Sequence, residues 1–197
     1  MSLSAVEVAV VTGGGHGIGR ALCRRLARDG VKVIVADIDG DAANTVATEI
    51  DGVARQLDVS NEQAMLELVA SVESEVGGID LFISNAGVGF GDGPSGAISK
   101  EGGMHAAVDR WSACWDVNVM AQVYAARAVI PKMLERGGGY IVNIASAAGL
   151  LSQIGDAAYS VTKHASVGFT EALAIDYGDD GIKVSVVCPQ AVATRMI

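Results

Sequence analysis

A chain of 197 residues is long enough for one domain with a sizeable core. Half of it is hydrophobic, its mean hydropathy is +0.37 and only 5% is aromatic, which points to strands buried on both faces and packed with Val, Ile, Ala and Leu. A net charge of −9 argues against nucleic acid, whose phosphates are bound through Lys and Arg.

Val6 to Val11 is a short apolar run ending in a glycine cluster, the mark of a buried strand. Leu22 and Leu26 recur at helical spacing and Gly30 follows as a stop, which predicts a helix over Ile18–Asp29. Val31 to Ala36 reads as a second strand, Asp41 to Ile50 as a helix, and Val53 to Leu57 as a third strand ending at Asp58. Asn61 to Val76 is a helix capped near Ser60 or Asn61 and closed by Gly77-Gly78. Leu81 to Ser84 is a strand, followed by a glycine-rich loop from Gly87 to about Asp109, long enough to be functional. Trp111 to Glu135 reads as one long helix, with a kink or early end at Pro131. Tyr140 to Ile144 is a strand, Tyr159 to Tyr177 a helix and Lys183 to Cys188 a strand. Strands alternating with helices imply a parallel sheet with helices on both faces, in one α/β domain spanning the chain.

No apolar run approaches the roughly 18 residues of a membrane span. Cys23, Cys114 and Cys188 lie far apart, without the spacing of a disulfide framework or a zinc site. They read as small buried hydrophobes in a reducing compartment, so a cytoplasmic protein without a metal is expected.

The first strand runs into Thr12-Gly13-Gly14-Gly15-His16-Gly17-Ile18-Gly19, directly before the first helix. Glycines permit a tight turn and let the backbone approach a pyrophosphate, and the helix N-terminus offers free N–H groups to the anion. Asp37 closes the second strand, where a carboxylate can accept both ribose hydroxyls of adenosine and repel a 2′-phosphate. Ile38 follows it, and His16 and Arg20 are the only nearby cationic candidates, so NAD is expected over NADP. As a turn residue Asp37 would also be ordinary. Asp58 and Asn85-Ala86-Gly87 end two further strands, at the sheet edge where ligands of open parallel sheets bind.

Tyr159 stands four residues before Lys163, so both project from one helix face, and Ser146 lies upstream. A nearby ammonium favours the phenolate and is expected to lower the tyrosine pKa, which suits a phenol that exchanges protons with an alcohol or carbonyl. Ser146 would hold the same oxygen.

In order along nearly the whole chain, these residues resemble the short-chain dehydrogenase/reductase family. The string Thr12 to Gly19 matches its Thr-Gly-x-x-x-Gly-x-Gly loop, Asn85-Ala86-Gly87 its Asn-Ala-Gly element, and Ser146, Tyr159 and Lys163 its catalytic positions. Asn118 falls where the family carries a helix asparagine, and Pro189 and Thr194 where it carries Pro-Gly and a downstream threonine, although Gln190 replaces that glycine. The resemblance implies a doubly wound, three-layer sheet of Rossmann type and an oxidoreductase that interconverts a secondary alcohol and a ketone. It implies Tyr159 as general acid/base, Lys163 on the nicotinamide ribose, Ser146 on the substrate oxygen and Asn118 holding a relay water. Gly13, Gly17 and Gly19 would shape the pyrophosphate turn, Asp58 with Val59 would face the adenine, and Asn85 to Gly87 would back the adenosine ribose. Pro189 and Thr194 would meet the nicotinamide amide. It further implies a homodimer or homotetramer, and a C-terminal lid and last strand that this sequence is expected to lack. A dinucleotide-binding protein without turnover is the alternative; sugar-nucleotide epimerisation would require a different glycine spacing.

Overall fold

The computed structural model describes residues 6–90 and 106–194. Six parallel strands form one sheet: β1 (Val8–Thr12), β2 (Lys32–Asp37), β3 (Val53–Gln56), β4 (Leu81–Ser84), β5 (Gly139–Ile144) and β6 (Ile182–Val187). Their spatial order is β3-β2-β1-β4-β5-β6, so the winding reverses between β1 and β4, and a crevice opens at the carboxyl ends of those two strands.

The alternation of side chains along each strand divides the core. Val8, Val10, Ile34 and Phe82 face one layer, packed by α3 (Glu62–Glu75), α5 (Ala121–Glu135) and Leu173 of α6 (Ala157–Tyr177). Ala9, Val11, Val33, Val35 and Ile83 face the other, covered by α1 (Gly17–Arg28) and α2 (Gly40–Glu49). Both faces of the sheet are therefore dry, the arrangement that the hydropathy predicts.

Asp39 caps α2 through the Ala42 N–H and Asn61 caps α3 through the Ala64 N–H, each at 3.0–3.1 Å. The long helix is continuous but not uniform. It starts at Val108 as α4 (Val108–Trp115), widens into a π-helical turn over Asp116–Met120 and continues as α5. The break expected at Pro131 does not occur. Pro131 faces solvent, and Met133 two residues on is fully buried, so packing carries the helix to Glu135. Most of the long loop after β4 lies outside the described residues, which resume at Ala106. Among the described residues no helix is long and apolar enough to cross a membrane.

Candidate active site

The turn between β1 and α1 is built by contact. Gly13 holds a left-handed φ of +62°, and a Cβ on Gly19 would lie 2.0 Å from the Gly13 carbonyl oxygen. Only glycine lets the first turn of α1 close onto the strand end. The helix opens at Gly17 with no capping side chain on His16 and no acid in its first turn, so its leading amides and dipole face the crevice. Ile18 is half-buried in this first turn.

Asp37 is buried at the end of β2. Its Oδ2 accepts the Gly15 N–H at 2.9 Å and its Oδ1 the Asp39 N–H at 3.0 Å. The carboxylate thus ties the glycine turn to the second strand and keeps further lone pairs for hydroxyl donors. The neighbouring cations are engaged: Arg20 and Arg24 both pair with Glu49, at 2.5 and 2.7 Å, and His16 Nε2 lies 3.9 Å from Asp39. Ile38 is exposed beside them.

Two of the residues expected at the cofactor hold the fold with their side chains. Val59 points into the core beside Leu57 and Met65, leaving Asp58 outward, where its Oδ1 accepts the Ser60 N–H and hydroxyl. Asn85 turns its amide away from the crevice, donating to the carbonyls of Thr12 at 3.0 Å and Gly13 at 3.1 Å. Thr12 Oγ1 in turn accepts the N–H groups of Asn85 and Ala86. This lock between β1 and β4 fixes the glycine turn across the switch point.

Asn118 sits buried in the π-helical turn. Its Oδ1 accepts the Val88 N–H and its Nδ2 donates to the Val88 carbonyl, both at 2.9 Å, and to Thr162 Oγ1 at 3.1 Å. Both amide hydrogens are spent on this clamp. A Cβ on Gly87 would meet Asn118 Oδ1 at 3.2 Å and Lys163 Nζ at 3.3 Å, so the three residues converge.

Ser146, Tyr159 and Lys163 meet at the ends of β5 and α6. Ser146 caps the short 3-10 turn Ala147–Gly149 through the Ala148 N–H, and its hydroxyl lies near the Tyr159 phenol, where it favours ionisation. Lys163 is only 3% exposed; its ammonium donates to the Ile144 carbonyl at 3.0 Å and stands over the Tyr159 ring, 5.5 Å from the centroid. Burial depresses the lysine pKa to about 8. The tyrosine moves opposite to the expectation from sequence: burial raises it, opposed by Ser146 and reinforced by the Asp156 carboxylate and the Cys114 thiol. Lys163 has already lost its charge in the range where the phenol would ionise, so no neighbouring ammonium is left to favour the phenolate. Beyond β6, the Pro189 carbonyl accepts the Ala147 N–H at 2.8 Å, and Thr194 reaches Gly17, so the final segment lies across the glycine turn.

Two residues near Tyr159 are not picked out by the sequence. Cys114 is fully buried; its thiol donates to the Val88 carbonyl, and burial with the nearby Asp156 raises its pKa to about 11. Asp156 caps α6, which starts two residues before the expected Tyr159; a helix-start signal three residues ahead of the tyrosine was there to be found.

Known proteins resemble this chain in sequence and fold. The short chain dehydrogenase family model matches residues 7–197. The chain is 36% identical to 1-deoxy-11-beta-hydroxypentalenate dehydrogenase of Streptomyces exfoliatus, over 97% of this chain and 69% of the relative. It is 34% identical to cyclohexanol dehydrogenase of an Acinetobacter species, over 97% of this chain and 75% of the relative. A short-chain dehydrogenase/reductase from Burkholderia phymatum, solved in complex with NAD, superposes with a TM-score of 0.91 at 32% identity, covering all of this chain and 69% of the other. The chain belongs to the short-chain dehydrogenase/reductase family, oxidoreductases that act on CH–OH groups with a nicotinamide dinucleotide.

Proposed function

We propose that this chain interconverts an apolar secondary alcohol and its ketone, using NAD, with Tyr159 as the proton-transfer group. The convergence of Ser146, Tyr159 and Lys163 at the same sheet edge as a glycine turn that opens a helix carries this reading. The turn fits a dinucleotide: Gly13, Gly17 and Gly19 would border the pyrophosphate with the amides of α1, and Asp37 the adenosine ribose. Bound nicotinamide supplies a hydride acceptor for the alcohol carbon, or a donor in the reverse direction. Tyr159 takes the hydroxyl proton in oxidation and returns it in reduction. Ser146 holds the substrate oxygen beside the phenol. Lys163 brings positive charge to the ring, and Asn118 keeps the Val88 peptide in place beside it.

NAD is favoured because Asp37 puts a carboxylate where a 2′-phosphate would lie, and because Glu49 engages Arg20 and Arg24. The Burkholderia relative's complex with NAD supports the same choice. Leu150, Leu151 and Ile154 leave large exposed apolar surface just beyond the Ser146 cap, which favours an apolar alcohol, as does the cyclohexanol-oxidising relative. Self-association through α4–α5 and α6 is part of the same reading; sedimentation as a monomer at micromolar concentration would count against it.

The test is a fluorescence titration of NADH against NADPH, followed by an alcohol panel that includes cyclohexanol with the tighter cofactor. Stronger NADPH binding overturns the cofactor assignment. Turnover that survives Tyr159→Phe overturns the mechanism.

A further inference from the structure

Three side chains cap helices of this fold from an N-terminal acid or amide position, and one of them differs from the others. Asp39 and Asn61 are exposed, and each caps with one oxygen. Asp156 is 3% exposed and uses both. Its Oδ1 accepts the Tyr159 N–H at 3.0 Å, the ordinary capping bond, while its Oδ2 accepts the Phe90 N–H at 3.0 Å, across 66 residues of sequence.

That second bond falls on a segment fixed from its other side as well. Val88 is clamped at its N–H and carbonyl by Asn118, with the Cys114 thiol on the same carbonyl. Gly89, between the two anchors, lies against the phenol: a Cβ there would stand 3.1 Å from Tyr159 Cδ2 and 3.5 Å from Asp156 Oδ2. The stretch Val88–Phe90 is therefore a wall laid on one side of the Tyr159 ring, pinned at one end from the π-helical turn and at the other by the residue that starts the tyrosine's own helix.

We propose that Asp156 is a positioning residue, a two-oxygen clamp that holds the Val88–Phe90 wall and Tyr159 as one rigid unit. The proposal rests on Tyr159 being the proton-transfer group, since its use is to keep the substrate wall in register with that phenol. A carboxylate is required. Asparagine or serine can cap α6, but an amide nitrogen opposite the Phe90 N–H sets donor against donor, and a hydroxyl is too short to reach both. Burying an acid beside an acid/base group carries a second consequence. The ionisable groups facing Tyr159 are Asp156 at the start of its helix, Cys114 from α4, and Lys163 over the ring, with Cys188 beside Lys163. Asp156 is the one among them that both touches the tyrosine's backbone and opposes its ionisation.

The test compares Asp156→Asn and Asp156→Ser with the parent chain, using two readouts that need no substrate. The first is the phenolate absorbance step of Tyr159, isolated by subtracting the titration of Tyr159→Phe. Both variants move this step to lower pH, because a negative neighbour has gone. The second is hydrogen exchange at the Phe90 amide, which accelerates at least about tenfold when its partner is lost. Activity with cyclohexanol and NAD is then compared among the same proteins, and a fall in kcat/KM without a matching rise in the NAD dissociation constant supports positioning. An unmoved phenolate step and an unchanged Phe90 exchange rate in either folded variant overturn the proposal. So does loss of folding in both, since the carboxylate would then serve stability alone. If Tyr159→Phe keeps its turnover while both substrate-free readouts move as stated, the clamp stands and the assignment of Tyr159 fails, so the two failures are distinguishable.

Discussion

Lys163 makes a measurable claim about stability. Its side chain is buried and its ammonium bonds one carbonyl, so the folded state holds its pKa at about 8 against 10.5 in the unfolded chain. Below pH 8 the lysine is charged in both states, and the folded protein carries the whole cost of burying that charge. Between pH 8 and 10.5 the unfolded chain binds more protons than the folded one, so stability rises with pH. The full gain is roughly 3 kcal/mol, less than half of it present by pH 9 and most of it by pH 10. Cys23 and Cys114, raised to about 12 and about 11, act in the opposite sense above pH 9, because the unfolded thiols ionise first. Lys163→Met isolates the lysine from them. Urea unfolding of both proteins, followed by the fluorescence of Trp111 and Trp115, gives the difference in stability at each pH. The parent chain gains on the variant steadily from pH 8 to 10, by roughly 2 kcal/mol. The unpartnered Ile144 carbonyl in the variant adds a constant offset only. A difference that stays flat across that range refutes the claim that Lys163 is held as a costly buried cation.

Alcohol oxidation needs the phenolate of Tyr159, whose pKa is raised, so its kcat/KM climbs into the alkaline range, while ketone reduction, which needs the phenol, is already active at neutral pH; pH–rate profiles in both directions check this. Tyr159→Phe lowers kcat about 10²- to 10⁴-fold and leaves NADH binding intact, as fluorescence titration would read. Gly19→Ala drives a methyl into the Gly13 carbonyl and costs about 1–3 kcal/mol or more together with NADH affinity, by urea unfolding and titration. Glu49→Gln removes the shared partner of Arg20 and Arg24 and narrows the preference for NADH over NADPH, measured as the ratio of dissociation constants.

The strands and the chemistry were legible in the chain because both are local. Alternating and continuous apolar runs placed all six strands to within two residues, and the glycine string and the Tyr159–Lys163 spacing carry their meaning within eight residues. What sequence missed depends on contacts between distant segments. Pro131 looks like a break until Met133 is seen buried beyond it. The side chains of Val59 and Asn85 serve the core and the β1–β4 lock, roles that depend on segments far away in sequence. The sign of the Tyr159 shift could not come from spacing alone. The i,i+4 rule brings the amine to the ring, but it says nothing of the burial that raises the phenol and discharges the lysine before the phenol ionises.

The polar residues of this site divide by what they bond. Asp37, Asn85, Asn118 and Asp156 hold peptide groups: the Gly15 and Asp39 amides, the Thr12 and Gly13 carbonyls, the Val88 peptide, and the Tyr159 and Phe90 amides. Those groups lie in turns, at helix ends or, for Thr12, at the last residue of a strand, where an unpartnered N–H or C=O would be costly to bury. The side chains complete the hydrogen bonding that the strands cannot, and they do so at the carboxyl edge where the chain must bend. Backbone shape at this edge is thus set largely by side chains, while proton handling, in the proposed function, falls to Tyr159 with Ser146 and Lys163 beside it. That division explains how one sheet edge can be stiff in its turns and still present a tyrosine and a lysine whose protonation burial has shifted from the ordinary values.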